Sequence, residues 1–376
     1  MKYIYILIII YILSACNENN KNSNPGDKVI DPTIESPEPS TLSQLIGNYR
    51  LIKLETTDDC LINKETKVIK HKGKFYISSD EEILIFNNNG SYINKLSKRG
   101  NGPEDYLCLE DFNIYNTNGN DEIWICDVQN IKKYDATNFE LKDLFKTEGE
   151  NVKRFERIDN DLILTRTSGE YMFILFNNQG KIIQKYQKKD LANSAYKSIP
   201  FIIYAGDTLY QIDDTNTGVS YKNGRFIEKD IIHLSSKKIL TPKNNQEYYK
   251  EYGYLKQCEE INKIFTRIHT IQSNKEKTLL ITLHPQKDMI TIIDKKNGIK
   301  TYQIYPNSSS LKNDIIPTKD MNFLKTISGC KSDDSFLFKV PISELSTYDN
   351  IKKEQNGNTL LSDLNEEDNM LLLEFY

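Results

Sequence analysis

The chain of 376 residues is poor in alanine, tryptophan and histidine. Its five alanines are Ala15, Ala136, Ala192, Ala195 and Ala205. Alanine is the strongest helix former, and a chain short of it but rich in Tyr, Ile, Phe and Thr leans towards sheet. Codon usage in an AT-rich genome explains the same bias equally well. No apolar run outside the N-terminus approaches the ~18 residues of a membrane-spanning helix, which excludes a polytopic membrane protein. No block of Lys or Arg stands out and the formal net charge is -4, which argues against nucleic-acid binding. No Cys-x-x-Cys pair occurs, so zinc-ribbon and thioredoxin-type chemistry is set aside. G-x-S-x-G, H-E-x-x-H and Walker loops are also missing. With 38% hydrophobic residues the chain is not mainly disordered, and its length suits one large domain or two ordinary ones.

What is present begins at the N-terminus. Lys2 forms a short positive region, and Tyr3 to Leu13 is an apolar run too short to be read as a membrane span. Leu13-Ser14-Ala15-Cys16 follows, small residues ahead of a cysteine, in the pattern of a lipobox. This predicts a lipoprotein signal peptide over 1–15, acylation of Cys16, and anchoring to a membrane through it; a plain signal peptide with an incidental cysteine is the alternative. Asn17 rather than an aspartate follows, which favours the outer membrane. Residues 16–41 hold Pro25, Pro32, Pro37 and Pro39 among Asn, Ser and Lys, a composition expected of a flexible tether. The remaining cysteines, Cys60, Cys108, Cys126, Cys258 and Cys330, are odd in number. A Cys108–Cys126 disulfide is conceivable, with buried free thiols as the plainer reading.

The body, 42–376, repeats. Asn-Gly and Gln-Gly signals follow apolar strands at Asn89-Gly90, Gln179-Gly180, Asn223-Gly224 and Asn297-Gly298, with a weaker copy at Asn138. Such pairs tolerate the positive φ of tight hairpins. The intervals are 48 residues from Gly90 to Asn138, 42 to Gly180, 44 to Gly224, and 74 to Gly298, one period plus an insertion. A preceding strand recurs at Lys74–Ser78, Glu122–Cys126, Asp161–Leu164, Thr208–Ile212, Thr278–Thr282 and Ser335–Lys339. A period of 42–48 with four short strands predicts an all-β propeller, and six copies predict six blades. Exposed strand edges must be closed. In the last blade the expectation is an inner pair near 321–329 and 334–340, a third strand at Met370–Tyr376, and the N-terminal Tyr49–Leu54 closing it as the fourth.

The segment Gly100-Asn101-Gly102-Pro103-Glu104-Asp105-Tyr106, followed by Asp111-Phe112-Asn113-Ile114, and the ending Glu367–Leu373 resemble the six-bladed β-propeller lipoproteins abundant in Bacteroidetes, relatives of NHL and TolB-like propellers. That family's pattern is G-x-G-P-G-E-Y and then D-F; here Glu104 replaces the third glycine and Asp105 the family's Glu. The resemblance covers most of 42–376. It implies shape and location more than chemistry.

Two candidate binding regions emerge. The Gly100–Tyr106 loop would join an outer strand to the next inner strand and present Arg99, Glu104, Asp105 and Tyr106 to the channel mouth. The plainer reading is structural, with Tyr106 packed between blades. The insertion at roughly 234–262 carries Tyr248, Tyr249, Tyr252 and Tyr254 among charged residues, suited to stacking on a sugar or contacting a protein. Alternatively, the same spacing packs one face of a short helix onto the propeller. The other insertion, roughly 341–368, is polar and acidic. Two S-x-x-K matches, at Ser194 and Ser235, lack companion motifs. The Asp213–Gly218 stretch lacks a closing Glu for calcium. His71 and His269 fall near predicted inner strands. The expected role is non-catalytic binding of a small molecule, glycan or envelope protein, without cofactor or metal. A metal-dependent propeller hydrolase or lyase is the alternative, and a structural envelope subunit a third reading.

Overall fold

The computed structural model describes residues 30–159, 162–167, 170–187, 201–204, 207–211, 215–234, 239–306, 308–316, 318, 320–332, 334–345 and 364–376. Cys16, the leader, Ser194, Ser235 and Asp213 lie outside the described residues.

The described chain opens with β1 (Ser40–Thr41), the short helix α1 (Leu42–Ile46) and β2 (Tyr49–Lys53). Thr41 caps α1 reciprocally with Gln44 in a capping box, which satisfies the helix's otherwise unpaired amides. Five sheets of up-and-down antiparallel strands follow. The first holds β3 (Glu65–His71), β4 (Lys74–Ser79), β5 (Glu82–Asn87) and β6 (Tyr92–Leu96). The second holds β7 (Asp111–Thr117), β8 (Asn120–Asp127), β9 (Asn130–Asp135) and β10 (Leu141–Lys146). The third holds β11 (Val152–Arg157), β12 (Leu162–Thr167), β13 (Tyr171–Asn177) and β14 (Ile182–Gln187). The fourth holds β15 (Phe201–Tyr204), β16 (Asp207–Gln211), β17 (Thr217–Lys222) and β18 (Arg225–Asp230). After helix α2 (Pro242–Ile264), the fifth holds β19 (Arg267–Ser273), β20 (Lys277–Leu283), β21 (Asp288–Asp294) and β22 (Gly298–Tyr305). Then come β23 (Leu311–Lys312), β24 (Cys330–Ser332), β25 (Phe336–Val340) and β26 (Leu371–Phe375).

Apolar runs rather than simple alternation mark the strands because both faces of each sheet are buried. Side chains alternate along a strand, so neighbouring residues enter different cores. Phe75 and Ile77 of β4 pack with Leu337 and Leu372 of the last sheet, whereas Tyr76 packs with Phe112 and Ile123 of the second. Ile123 and Ile125 of β8 face the first sheet, while Trp124 and Cys126 face Phe155 and Ile163 of the third. Burying each such aliphatic or aromatic side chain stabilises the fold by roughly 1.5–3 kcal/mol. Sheets stacked face to face in a ring make this an all-β propeller.

The expectation of six blades is corrected: among the described residues the structure has five blades of four antiparallel strands. Where a sixth would stand is a three-stranded sheet, β2–β26–β25. The expected strand at 321–329 is instead a 3₁₀ helix, Asn322–Gly329. Its buried residues Phe323, Leu324 and Ile327 are spaced for a helix rather than a strand, and Thr326 Oγ1 donates to Phe323 O at 2.7 Å. The short β24 then pairs in parallel with β3 of the first blade, Cys330 opposite Val68, and not with β25. In the three-stranded sheet, β2 pairs with β26, Tyr49 opposite Phe375, and β26 with β25.

The repeated turn glycines have a steric reason beyond their positive φ. A Cβ on Gly90 (φ 89°) would lie 2.1 Å from Lys53 O, and one on Gly180 (φ 84°) 2.6 Å from Lys146 O. Each turn is pressed against the outer strand of the preceding sheet, a close approach that only glycine permits.

The folded chain begins earlier than the expected residue 42. The tether was expected to span 16–41, yet its described part lies on the body. Ile30 is buried with Ile231, Ile232 and Ile268, and its amide bonds His233 O at 2.8 Å. Ser36 N donates to Thr301 O and Ser40 N to Ser310 O, both at 2.8 Å.

Candidate functional site

Inner strands carry the charged groups of the propeller axis. Lys67 of β3, Asp111, Asn113 and Tyr115 of β7, Arg154 and Glu156 of β11, and Lys331 of β24 form one network. Lys67 Nζ donates to Asp111 Oδ1 at 3.0 Å, Phe112 O at 2.7 Å and Asn113 Oδ1 at 2.9 Å. Arg154 Nη1 donates to the same Asp111 Oδ1 at 3.1 Å, and Phe155 N to Asp111 Oδ2 at 3.3 Å. Lys331 Nζ donates to both oxygens of Glu156, at 2.8 and 2.9 Å, and Tyr115 OH to Glu156 Oε1 at 3.1 Å. Lys331 reaches the third blade because β24 has left its own sheet to lie beside β3.

Burial dominates the electrostatics here. It holds the Lys67 ammonium below its ordinary pKa of 10.5; Asp111 opposes the shift, and the cations Lys331 and Arg154 add to it. Burial, then the nearby Glu156 carboxylate, pushes the Tyr115 phenol well above 10.0. A buried charge is tolerated only when paired and hydrogen-bonded, and both carboxylates here are multiply held.

A second network joins the chain ends. Glu374 of β26 is fully buried and accepts from Arg50 Nε at 2.8 Å and Nη2 at 2.6 Å, from Lys70 Nζ of β3, and from Ser335 Oγ. One carboxylate thus ties β2, β3 and β26 together.

The Gly100–Tyr106 loop turns inward. Tyr106 is fully buried between the first and second blades, its hydroxyl donating to Glu81 O and its ring edge-on to Tyr134 at 6.4 Å. Burial pushes its phenol up to about 12. Asp105 Oδ2 accepts from Gly102 N at 2.9 Å, and its carbonyl accepts from Lys132 Nζ. A Cβ on Gly100 or Gly102 would meet the Asp105 carboxylate at 2.3 or 2.7 Å, which explains both glycines. Glu104 is exposed and pairs with Lys98 at 3.2 Å, while its carbonyl accepts from Tyr134 OH. Arg99 is exposed. This loop and the axial network therefore do not share side chains.

The tyrosine-bearing insertion is helix α2, capped by Thr241 and broken at Gly253 (φ 71°, ψ 173°). The break folds it back on itself: Gln257 Nε2 donates to Asn245 O at 2.7 Å. The Tyr248 ring lies 5.6 Å from both Tyr252 and Phe265, and Lys256 Nζ sits 5.4 Å over Tyr252. Tyr248, Tyr249 and Tyr252 are all half-buried. The Tyr254 side chain lies outside the described residues.

Cys60, Cys108, Cys126 and Cys330 are in no disulfide, so none joins Cys108 to Cys126. Cys126 Sγ donates to Val152 O, and burial pushes both thiols up. His71 Nε2 lies 3.2 Å from Asp121, His269 Nε2 3.0 Å from Lys325 O, and His284 sits between Thr266 and Thr282. Among the described residues no three His, Cys, Asp or Glu side chains are placed to hold a metal, and no helix is long and apolar enough to cross a membrane.

The axial residues were not singled out from sequence, although Asp111 stood in the D-F element. The available signal was polar residues set at alternate positions of inner strands, Asp111 and Asn113 among the apolar residues of β7 and Arg154 and Glu156 on either side of Phe155 in β11.

The structure resembles solved Bacteroides proteins. A Bacteroides fragilis protein described as exported superposes with a TM-score of 0.68 at 14% identity, over 91% of this chain and 97% of that one. A member of the DUF4221 family from Bacteroides vulgatus gives 0.51 at 10% identity, over 90% and 98%. Virginiamycin B lyase from Staphylococcus aureus, in complex with quinupristin, gives 0.46 at 11% identity, over 88% and 100%. No curated protein matches the chain in sequence. The model of a domain of unknown function, DUF4934, matches residues 27–375, and the chain belongs to that family.

Proposed function

We propose that the protein is an envelope binding module of the lipid-anchored propeller type, held at the outer membrane through Cys16 and without catalytic activity of its own. The observation that carries this reading is the engagement of the axial charges. Asp111 is held by Lys67, Arg154 and a backbone amide, and Glu156 by Lys331 and Tyr115. A general base or a metal ligand needs a carboxylate free to meet its proton or ion; these two are committed to holding inner strands together. The description of the Bacteroides fragilis neighbour as an exported protein and the lipobox-like Leu13–Cys16 support the location.

In a four-stranded up-and-down blade, the turn between second and third strands and the connection to the next blade lie at one end. We call that end the loop face. The exposed Arg99 and Glu104 and the half-buried Tyr249 and Tyr252 lie on it, and they are the contact residues of this reading. Site-specific photo-crosslinking in intact cells tests it. A crosslinker at position 99 should give a discrete adduct, and one at the exposed Lys74, on the opposite end, should not. Turnover of a lactone, peptide or glycan that Glu156→Gln abolishes would overturn the reading in favour of a propeller hydrolase or lyase.

A further inference from the structure

We infer that the loop face rests on the lipid surface itself, through a set of exposed apolar side chains at its loop tips. The inference goes beyond the reading above and rests on acylation of Cys16: the apolar tips meet lipid, and the polar Arg99 and Glu104 remain the partner contacts.

The first observation is where the chain enters the body. Ile30 is pinned to His233 and Leu234, in the connection from the fourth blade to the fifth, and Thr33 O accepts from Lys287 Nζ in the second turn of the fifth blade. Both contacts lie on the loop face. From there the chain descends along β22, where Ser36 meets Thr301, and reaches Ile46 at the far end, where Lys277 Nζ caps Ile46 O. The entry point is therefore at the loop face and nowhere near the opposite one. Thirteen residues lie between Cys16 and Ile30, and the fourteen steps give a maximum reach of ~50 Å at ~3.3–3.6 Å per residue. Setting the opposite face on the bilayer would use roughly half of that reach merely to pass the blade, given ~3.3 Å per strand residue and loops at both ends.

The second observation is independent of the anchor. Of the exposed large hydrophobic residues among the described ones, Ile34, Leu61, Leu107, Val128, Ile264 and Tyr305 lie in loop-face segments or at loop-face strand ends. Tyr49 and Tyr376 lie at the opposite end, Ile93 and Ile183 one residue into outer strands from that end, and Leu144 within an outer strand. Leu107 is 55% exposed. Val128 occupies the turn between β8 and β9 with φ 53°, a conformation a β-branched residue adopts only under strain. A polar or glycine residue would relieve that strain, yet the turn presents a valine to the outside. Apolar tips at one end of a body, close to its anchor, match insertion into the headgroup and upper acyl layer.

Tryptophan substitution at a loop tip reads this directly, because the native Trp124 is buried and gives a constant background. The full acylated chain carrying Leu107→Trp, Ile264→Trp or Tyr49→Trp is reconstituted into vesicles of phosphatidylethanolamine and phosphatidylglycerol doped with brominated phosphatidylcholine. The added emission of Leu107→Trp and Ile264→Trp should fall by about half on contact with the quencher, with Tyr49→Trp unchanged. Flotation of the same vesicles separates the two ideas. A chain that does not float with lipid overturns the anchor and this orientation together. A chain that floats while Leu107→Trp and Ile264→Trp stay unquenched, or while Tyr49→Trp is quenched equally, keeps the anchor and overturns the orientation.

Discussion

Asp111→Asn isolates the axial network with a change of one atom. Asp111 is 1% exposed at its side chain and neutralises Lys67 and Arg154 at 3.0 and 3.1 Å. Asparagine keeps an acceptor oxygen but removes the charge that lets two cations stay buried. Stranding a buried charge costs ~3–5 kcal/mol, and the retained acceptor puts the expected loss near ~3. With an unfolding entropy of ~2.1 cal/mol/K per residue over about 330 folded residues, ~3 kcal/mol lowers Tm by ~4 °C. The loss depends on pH with a definite sign. The folded pKa of Lys67 lies below 10.5, so the unfolded chain binds more protons between those two values and stability rises with pH across that window. Removing Asp111, the partner that raises the Lys67 pKa, widens the window downward, so the deficit of the variant shrinks as pH approaches 10.5. Asp111→Asn combined with Lys67→Met removes one of the two stranded cations and leaves Arg154, so it should recover roughly half of the loss, since replacing a buried charge by an apolar side chain relieves its desolvation cost. Thermal melts from pH 7 to 10 measure all of this. A parent-like Tm for Asp111→Asn at pH 7, or a double variant less stable than the single one, would refute the argument that the axis is held by charge.

Other expectations follow from the same reasoning. Glu374→Gln loosens β2, β3 and β26 at once and should cost ~3 kcal/mol, read as faster proteolysis at the chain ends. Gly90→Ala should destabilise by well over the ~1 kcal/mol of a positive-φ alanine because of Lys53 O. Gly224→Ala, with no atom within 4 Å of the added Cβ, should show only the conformational part in denaturant titration. Tyr106→Phe should lose ~1 kcal/mol for the hydrogen bond to Glu81 O and leave loop-face crosslinking unchanged. Asp121, held by Asn116, Lys72 and His71, has its carboxyl at about 2 rather than 3.8. Its stabilisation is present above 3.8 and lost as pH falls through 2. Asp121→Asn should therefore flatten the acid limb of the stability curve by ~1 kcal/mol, a figure discounted for its exposure.

The blades were legible in the sequence because their turns are chemically marked. Asn89-Gly90 and Gln179-Gly180 carry both the positive φ and the close approach to the preceding sheet, so the period of the turns is the period of the fold. The missing sixth four-stranded blade was not legible for the opposite reason. Phe323, Leu324 and Ile327 look apolar enough for a strand, and only their spacing speaks for a helical segment. The axis was hidden because its partners are far apart in sequence: Lys67 meets Asp111, and Lys331 meets Glu156, only once β24 has crossed to β3. The inward turn of Tyr106 was likewise invisible, since nothing near it in sequence announces Glu81 O as its acceptor.

The pairing of Tyr49 with Phe375 has a temporal consequence. The strand that completes the last sheet is made more than three hundred residues after its partner. Contacts so distant along the chain form late, and topologies rich in them fold slowly. The ring therefore stays open throughout synthesis and shuts only when β26 is released.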